Sequence, residues 1–548
     1  MESLAAPELP IRREARFHQL THQLFDVLVI GGGITGAGIA WQLARWGVKV
    51  ALVEQGDYAS GTSSRSSKLI HGGFRYLPHG EIRLVRQVAQ ERTRLARLMP
   101  HLVSPLRMTI PVYKDGPYPL PLLSLGTWVY DHLGPVDSHH QPTRRTADEI
   151  VSRVPHLTAR HLRGAVDYYE FWGHDARITW AVIATAAHLG AITLNYVRAE
   201  FSPSHFPPSR PCEIAIVDQR TGNTGMVSAR VVVNAVGPWA SDWTSEAQLV
   251  KSRGIHLAFP YGRIPIPNAI VLKTPDHANV FAVPHGPATY IGTTDKRDAS
   301  APESPSLPFD DVQYLLDAAN NTFSSLNLIP ADIIAAWSGV RPLIAQDAHA
   351  RTDQLSRRDK VLVNGSLITV LGGKFTGFRA TAQAVAEKVL TRLGGTTFTP
   401  TSEYILGAPN IIDPMGTMRN IAQSHKIPED WMAHMWERYG TYSDQLWATA
   451  KPEALAPVVD GIPLLLAEID WAVQHEQALT VADILIRRTG LAWLEGLNLI
   501  QLDALAKGTS ERMATLLGWT GNERDRQIHD FNNVSYVDQV RHWHKVGS

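Results

Sequence analysis

The chain has 548 residues, 52 Lys and Arg against 52 Asp and Glu, and one cysteine, and these numbers exclude several classes of protein. A chain of this length is too long for one core, so we expect more than one domain. The balanced charge argues against a protein whose main task is to bind nucleic acid or another polyanion. Cys212 alone cannot form an intrachain disulfide, a redox cysteine pair or a cysteine zinc cluster.

Residues 1–23 read as a polar leader without the apolar core of a signal peptide. No segment offers the ~18–20 uninterrupted apolar residues that a membrane-spanning helix needs. We therefore expect a cytoplasmic protein, or a peripheral one on the cytoplasmic face of a membrane.

The first strong motif follows the leader. An apolar run at 26–30 (DVLVI) indicates a buried strand, and GGGITG at 31–36 follows it at once. A helical pattern then runs to Trp46, and a second strand pattern at 48–53 ends at Glu54. Strand, glycines, helix, strand and acid fall in the order of a dinucleotide-binding unit.

Each part of this unit has a physical role. Gly31 permits the tight turn, Gly33 lets the backbone approach a pyrophosphate, and Gly36 lets the helix pack close to the strand. The helix N-terminus stabilises phosphates. Glu54 is placed to accept hydrogen bonds from a ribose. Without a redox cysteine pair or a second fingerprint, the residues leave FAD, or NAD in a simple dehydrogenase, and the N-terminal position favours FAD.

A second cluster, SGTSSRSSKLIHGGFRYL at 60–77, is dense in polar residues and glycine. Its glycines, Gly72 and Gly73, allow the backbone to approach a flat ligand. His71, Arg75 and Tyr76 add titratable and anion-binding groups. The hydroxyls that can bond phosphates or a flavin ring are those of Thr62, Ser63, Ser64, Ser66 and Ser67.

Up to about residue 400 the chain alternates strand and helix patterns, which indicates an α/β fold. Two strand patterns without following helices, LRMTIPVYK and NVFAVPHGPATYIGTT, suggest a second, antiparallel sheet interleaved with the first. Beyond residue 400 long helical patterns carry seven of the fifteen tryptophans, which we interpret as core residues of a helical domain.

Nine stretches of the sequence resemble the FAD-dependent glycerol-3-phosphate dehydrogenase family. They are VLVIGGGITGAGIA, TSSRSSKLIHGGFRYL, HDARITWA, VVNAVGPWA, YIGTTD, WSGVRPL, LGGKFTGFR, YGTYSDQLW and RRTGLAWL. The resemblance implies a Rossmann-type FAD-binding domain interleaved with an antiparallel-sheet substrate cap and followed by a helical domain. We expect the FAD-binding domain at about 24–100, 171–245 and 335–400, the cap at about 101–170 and 246–334, and the helical domain at 401–548.

The resemblance also implies an activity, the oxidation of sn-glycerol 3-phosphate to dihydroxyacetone phosphate with FAD as hydride acceptor and a membrane quinone as electron acceptor. Three alternatives stay open. One is a glycerol-phosphate oxidase that reduces oxygen, the second an amino-acid or hydroxy-acid oxidase whose Arg341 holds a carboxylate, and the third a regulatory protein without catalysis. A homodimer is a further open expectation.

The family's substrate positions fall on Arg75, Tyr76, Arg341 and Lys374 of this sequence. The expected FAD-binding residues are Gly31, Gly33, Gly36, Glu54, Thr62, Ser63, Ser64, Ser67, Lys68, Leu69, Gly72, Gly73, Val197, Ala235, Gly237, Gly373, Lys374 and Thr376.

The expected chemistry needs these residue types. Arginine binds two oxygens of a phosphate with one planar fork. Lys374, in a glycine-rich turn before a helical pattern, can stabilise negative charge on a reduced flavin. The alcohol proton needs a base that titrates near neutral pH, for which His71 is the first candidate and His256 the second.

Two stretches depart from the family pattern. Thr376-Gly377-Phe378-Arg379 stands where members often have Thr-Thr-Tyr-Arg, and Arg253-Gly254-Ile255-His256 stands where Lys-Gly-Ser-His is common. The lost hydroxyls can reshape the pocket and leave the choice of substrate open.

Residues 81–99 form an amphipathic helical pattern with Arg83, Arg86, Arg94 and Arg97 on one side. Arg92 is an exception on the apolar side. Such a helix can rest on anionic lipid, although the pattern favours a helix with an inward apolar face and a solvated basic face. We expect no metal site, because His139-His140 and His542-x-His544 lack a third ligand at a motif spacing.

Overall fold

The computed structural model describes residues 13–74, 77, 80–134, 140–200, 206, 210–244, 249–298, 300–344, 359–395, 401–408, 416, 419, 423 and 428–546. Two β-sheets and a set of C-terminal helices make up this part of the chain, and strands and helices are numbered below in chain order. The expected fold class, a mixed α/β fold with a helical C-terminal domain, is confirmed.

The first sheet is built on five parallel strands. Its strands are β1 (Leu24–Ile30), β2 (Val50–Val53), β7 (Ile192–Leu194), β8 (Val197–Glu200), β9 (Cys212–Asp218), β10 (Thr224–Asn234), β17 (Lys360–Asn364) and β18 (Leu367–Leu371). The parallel strands lie in the order β18-β10-β1-β2-β7, and β17 and the β8–β9 hairpin add antiparallel strands. Both faces of β1 are covered, which is why its sequence is a nearly continuous apolar run.

Three helices cover one face of this sheet, and a fourth covers the other. Helices α2 (Ile34–Arg45), α6 (Asp175–His188) and α8 (Phe378–Arg392) share a core with Val29 and its neighbours. On the opposite face α1 (Arg13–His22) packs against β7 and β10, and its Phe17 and Leu20 belong to the core there. Helix α1 lies inside the segment expected to be a polar leader.

The second sheet has ten strands and is antiparallel except where β12 pairs with β4. Its strands are β3 (Leu69–Ile70), β4 (Val103–Tyr113), β5 (Thr143–Arg145), β6 (Leu162–Gly173), β11 (Leu249–Pro260), β12 (Ala269–Val271), β13 (Phe281–His285), β14 (Ala288–Gly292), β15 (Lys296–Arg297) and β16 (Ala335–Ile344). Strand β16 pairs with β11, so it lies with the cap rather than with the FAD-binding range in which we expected it.

Four helices flank the second sheet, namely α3 (Ile82–Leu98), α4 (Leu120–Leu133), α5 (Ala147–Arg153) and α7 (Phe309–Thr322). Helix α3 is the amphipathic helix that the sequence predicts, with four of its five arginines exposed. Arg92, the exception in that pattern, is fully buried and donates to Glu170 Oε2 at 2.6 Å. Arg92 can lie on the apolar side of the helix because its charge is paired with a buried carboxylate.

The described residues of the C-terminal part contain seven α-helices and one π-helical turn, Asp483–Arg488. The helices are α9 (Glu429–Tyr439), α10 (Tyr442–Thr449), α11 (Leu466–His475), α12 (Leu491–Leu494), α13 (Leu499–Leu517), α14 (Gly521–Ser535) and α15 (Val537–Val546). Leu485 and Trp493 share a core with Tyr290 and Trp337 of the second sheet, so this domain is packed onto the cap. No helix in the described ranges is both long and apolar enough to cross a membrane.

Candidate cofactor and substrate site

The expected cofactor residues gather at the carboxyl ends of the parallel strands. Gly31 follows β1, Glu54 follows β2, Ala235 follows β10, and the turn with Gly373 follows β18. Ligands of open α/β sheets bind in the crevice outside these strand ends. Pairing of the strands thus brings together residues that are up to about 340 positions apart in the sequence.

The glycine fingerprint has the close contacts that its role requires. Gly31 has φ +110°, and a Cβ atom there would lie 2.6 Å from the Ala235 carbonyl oxygen. A Cβ on Gly36 would lie 1.9 Å from the Gly31 carbonyl oxygen. Gly33 is the N-cap of α2 without a side-chain cap, and Ser63 Oγ accepts a hydrogen bond from Ile34 N at 2.9 Å. The N-terminus of α2 is therefore open to an anion beside a hydroxyl.

Glu54 is fixed by the backbone around it. Its carboxylate accepts hydrogen bonds from Gly32 N at 2.6 Å and from Gly56 N at 2.8 Å. Burial raises the pKa of Glu54, while these two N–H groups oppose the rise. Val197 N donates to the Glu54 carbonyl oxygen at 2.7 Å, which places Val197 beside the acid. These hydrogen bonds fix the position of Glu54, the residue expected to bind the ribose.

The loop of residues 60–73 runs between the two sheets. Thr62 Oγ1 donates to Val340 O at 2.6 Å, so this hydroxyl ties the loop to β16. Ser64 Oγ is buried and has no hydrogen-bond partner among the described residues. Lys68 Nζ donates to Asp175 Oδ1 at 2.8 Å and to Ser64 O at 3.1 Å. Lys68 and Asp175 therefore form a buried ion pair.

His256, in β11 of the second sheet, contacts this loop. Its Nε2 lies 2.8 Å from Ser67 Oγ, and its ring stacks on Trp337 at 4.8 Å between centroids. Its Nδ1 is buried without a hydrogen-bond partner in the described part of the chain. Burial and then the positive charges of Arg341 and Lys68 hold the pKa of His256 well below its ordinary value. The imidazole is therefore neutral at neutral pH.

Arg341 projects from β16 towards the same place. Its guanidinium donates to Thr293 Oγ1 at 2.8 Å and to Thr294 O at 3.2 Å. A Cβ on Gly254 of β11 would lie 2.4 Å from Arg341 Nη2, so the guanidinium packs directly against this glycine. The sheet thus brings Arg341 and His256 together, as the charge effect on His256 also indicates.

The other expected residues have varied positions. Lys374 precedes a short 3₁₀ turn, Phe375–Gly377, in which Thr376 is buried. Gly373 has φ +107° and lies beside Thr35 of α2. Gly237 has φ +61°, with open space where a Cβ would point. His71 is half-buried.

Three more expected residues lie along the loop that ends at residue 73. Leu69 is in β3, Gly72 N donates to Glu170 Oε2 at 3.1 Å, and Gly73 has φ +81°. Arg75 and Tyr76 lie outside the described residues.

The sequence did not point to four residues that contact the expected site residues and fix their positions. They are Asp175, Glu170, Thr293 and Trp337, which contact Lys68, Gly72, Arg341 and His256 in that order. Three of them stand in stretches that carried the resemblance (HDARITWA, YIGTTD and WSGVRPL), but their contacts depend on strand pairing and could not be read from spacing.

Two of the departures from the family pattern, Ile255 and Phe378, have their side chains in hydrophobic cores. Ile255 is fully buried in a core on the face of β11 opposite to His256. Phe378 packs in the core of the first sheet, where a Cβ on Gly38 of α2 would meet its ring at 2.6 Å. Neither side chain contacts Arg341 or His256, so these departures do not by themselves reshape that pair.

Comparison with known proteins agrees with this geometry. Residues 26–388 match the family described as FAD dependent oxidoreductase, and residues 401–524 match the C-terminal domain of alpha-glycerophosphate oxidase. The chain is 31% identical over 545 residues to an aerobic glycerol-3-phosphate dehydrogenase of Bacillus subtilis, covering 96% of this chain and 97% of that relative. The chain belongs to the FAD-dependent glycerol-3-phosphate dehydrogenase family.

Other members and solved structures support the same placement. The aerobic glycerol-3-phosphate dehydrogenase of Staphylococcus saprophyticus is 32% identical, over 94% of this chain and 95% of its own. The structure of the glycerol-3-phosphate dehydrogenase from Bacillus halodurans, complexed with FAD, superimposes with a TM-score of 0.78 at 27% identity and covers 96% of this chain and 97% of its own. An L-alpha-glycerophosphate oxidase from Mycoplasma pneumoniae shares the fold, with a TM-score of 0.53, 15% identity and 70% and 97% coverage.

As a member of the FAD-dependent glycerol-3-phosphate dehydrogenase family, the protein is an FAD-dependent oxidoreductase, which confirms the expected cofactor and enzyme class. The site residues fit that cofactor. The N-terminus of α2, where Gly33 offers no capping side chain, suits a pyrophosphate, and Glu54 suits a ribose. The Ser64 hydroxyl, buried and without a hydrogen-bond partner among the described residues, is suited to bond a ligand.

Proposed function

We propose that the protein oxidises sn-glycerol 3-phosphate to dihydroxyacetone phosphate and passes the electrons to a quinone. The relatives named above support the substrate. The observation that carries the proposal is the convergence of Arg341, an anion-binding group, and His256, a neutral imidazole, beside the carboxyl ends of the FAD-binding strands. FAD, when bound, supplies the acceptor for a hydride at flavin N5.

Arg341 is suited to hold the substrate phosphate. Thr293 and the Thr294 carbonyl fix its guanidinium in one orientation, and a planar fork can then bind two phosphate oxygens at once. We propose that Arg75, Tyr76 and Lys374 complete the substrate pocket, as the family pattern indicates. Holding the phosphate at one end places the secondary alcohol at a fixed distance from the base.

We propose His256 as the base that removes the alcohol proton, in place of the first sequence candidate, His71. His256 is held by Ser67 on one side and Trp337 on the other, which fixes the ring. In the free protein Arg341 helps to depress its pKa. A phosphate dianion on Arg341 offsets that positive charge, so substrate binding raises the pKa of His256 towards the operating pH, where a general base is most effective.

A quinone acceptor requires access to a membrane surface, and we propose that α4 provides it. Leu122, Leu125 and Trp128 of this helix are each more than half exposed, at 53%, 57% and 54%. Exposed arginines of α3, including Arg83 and Arg86, add positive charge that anionic lipid attracts.

Vesicle flotation tests this proposed membrane contact. We expect a Leu125→Glu, Trp128→Glu variant to lose binding to anionic vesicles. Equal binding of the variant and the native protein would refute the contact.

Anaerobic flavin bleaching tests the substrate. The purified holoenzyme is mixed with sn-glycerol 3-phosphate, glycerol, a 2-hydroxy acid or an amino acid, and the oxidised flavin band is followed. Rapid bleaching by glycerol 3-phosphate alone supports the proposal. Bleaching by the acids instead assigns Arg341 to a carboxylate, and no bleaching by any of them ends the proposal.

The match of residues 401–524 to a glycerophosphate oxidase domain favours one alternative, in which oxygen is the acceptor. Hydrogen peroxide formation and quinone reduction are measured side by side on the same preparation. Peroxide at the rate of flavin turnover supports the oxidase, and quinone reduction without peroxide supports the dehydrogenase.

A further inference from the structure

A buried carboxylate lies three positions after Glu54 and contacts the C-terminal domain. Asp57 Oδ2 accepts from Arg487 Nε at 2.6 Å and from Arg488 Nη1 at 2.7 Å, and Oδ1 accepts from Arg488 Nη2 at 2.9 Å. Its side chain is fully buried. Burial raises the pKa of Asp57, but Arg488 and Arg487 outweigh burial and hold it at about 2. Asp57 is therefore a carboxylate, and its partners come from the π-helical turn of the other domain.

The two arginines are themselves held inside the C-terminal domain. Arg487 pairs with Asp483, and Arg488 Nη2 donates to the Glu476 carbonyl oxygen at 2.8 Å. Glu476 also accepts from Arg177 of α6 at 2.6 Å. Asp57, Glu476 and Asp483 thus balance Arg177, Arg487 and Arg488. A buried charge is tolerated only when it is paired, so loss of any bond in this set disturbs the others.

The same domain holds the loop on the other side of Glu54. Asn195 Nδ2 donates to Asp57 Oδ1 at 3.0 Å and to Gln477 O at 2.8 Å. The Tyr196 hydroxyl donates to Asp483 Oδ1 at 2.8 Å, while Tyr196 N bonds Gly56 O. Residues 477–488 therefore tie together the loop after β2 and the loop after β7. The first loop carries Glu54, and the second leads into Val197 at the start of β8.

We propose that the C-terminal domain sets the shape of the adenosine half of the FAD site, with Arg488 and Arg487 as positioning residues that act through Asp57. This rests on the assignment of Glu54 to the ribose of FAD. In the RRTG stretch at residues 487–490, the two arginines thus hold Asp57 in place, a role that cannot be read from the sequence motif. Because Arg487 and Arg488 bond to Asp57, three residues after Glu54, we expect their effect at the nucleotide end of the site.

Ligand binding to the full-length apoprotein tests the proposal. Dissociation constants are measured for FAD, for ADP as a probe of the adenosine half, and for riboflavin as a probe of the flavin half. Arg488→Lys keeps the charge but cannot make the bidentate bond to Asp57. We expect FAD and ADP to bind about 10-fold more weakly and riboflavin to bind as to the native chain, because only the nucleotide corner is displaced.

Arg438→Lys is a matched control. Arg438 is a buried arginine of α9 that donates to the Glu468 carboxylate and to the Pro463 carbonyl, both inside the C-terminal domain. Arg438→Lys likewise alters a buried arginine paired with a carboxylate, but it leaves residues 54–58 untouched, so ADP affinity should not change. If Arg488→Lys does not fold, Arg487→Lys, which loses the Nε bond to Asp57, is used in the same measurements.

Two results overturn the inference. One is ADP and FAD affinity within about twofold of the native chain in folded variants, a difference too small for a lost hydrogen bond to a charged group. The other is an equal weakening of ADP and riboflavin, which indicates general loosening. These outcomes differ from a failure of the proposed function, since a native chain that binds FAD without being reduced by glycerol 3-phosphate leaves the positioning role intact.

Discussion

At the scale of single residues, the pairing of Arg341 with a phosphate can be tested by substitution. Arg341→Gln removes a charged fork while the flavin contacts remain, so we expect KM for glycerol 3-phosphate to rise about 30- to 100-fold, which corresponds to about 2–3 kcal/mol. The flavin spectrum should be unchanged. Arg144→Gln, which removes an exposed arginine of β5, is the control and should leave KM as it is.

The same substitution has a second consequence, for pH dependence. The positive charge of Arg341 is one cause of the low pKa of His256. Removing that charge raises this pKa, so the acid limb of kcat/KM should move to higher pH in Arg341→Gln. The measurement is the anaerobic rate of flavin reduction between pH 5 and pH 8. An acid limb that stays in place would show that His256 is not the base.

At the scale of elements, the ion pair between α3 and β6 supports the loop beside the site. Arg92 and Glu170 are both buried, and Glu170 also accepts from Gly72 N. Arg92→Met leaves Glu170 buried without its cation, which we expect to lower the free energy of unfolding by about 3–5 kcal/mol. Urea titration of Arg92→Met, Glu170→Gln and the double variant checks this. The double variant should lose less than the sum of the single variants, because the pair is coupled.

Elements with local signals could be predicted from the sequence, and pairings between distant elements could not. The unit from β1 to Glu54 and helix α3 follow from periodicity and glycine spacing within about 30 residues. The contact of Arg488 with Asp57 spans 431 positions, and β16 joins β11 rather than the first sheet. Such contacts depend on how two domains pack, and one sequence carries no periodic signal for them.

At the scale of the whole molecule, buried neutral histidines make stability depend on pH. Burial lowers the pKa of His101 and His285 to about 3 and that of His174 well below its ordinary value. The unfolded chain binds protons at these sites as pH falls below about 6.5, while the folded chain does not. The contribution of these neutral histidines to the free energy of unfolding is therefore complete above that pH. Below it the free energy of unfolding falls by up to ~1.4 kcal/mol per pH unit for each histidine.

Urea titration at pH 7.5, 6.5 and 5.5 measures this loss. His101→Phe removes one buried site, packed edge-on against Trp436, and should make the loss between pH 6.5 and pH 5.5 smaller. His542→Gln changes an exposed histidine of α15 and should leave the slope unaltered. An identical slope in native protein and His101→Phe would show that this histidine is not neutral in the folded chain.

Coupling between domains is reciprocal, so a C-terminal domain that shapes the nucleotide end of the site must itself be stabilised when FAD binds there. Amide hydrogen exchange with and without FAD should show protection of residues 476–488 as well as of residues 31–36 and 54–58. Helix α14 should exchange at the same rate in both states, because its described contacts lie away from Asp57. In Arg488→Lys the protection of 476–488 should fall while that of 31–36 persists. Protection confined to the first 73 residues in the native protein would mean that the C-terminal domain packs beside the FAD site without sensing it.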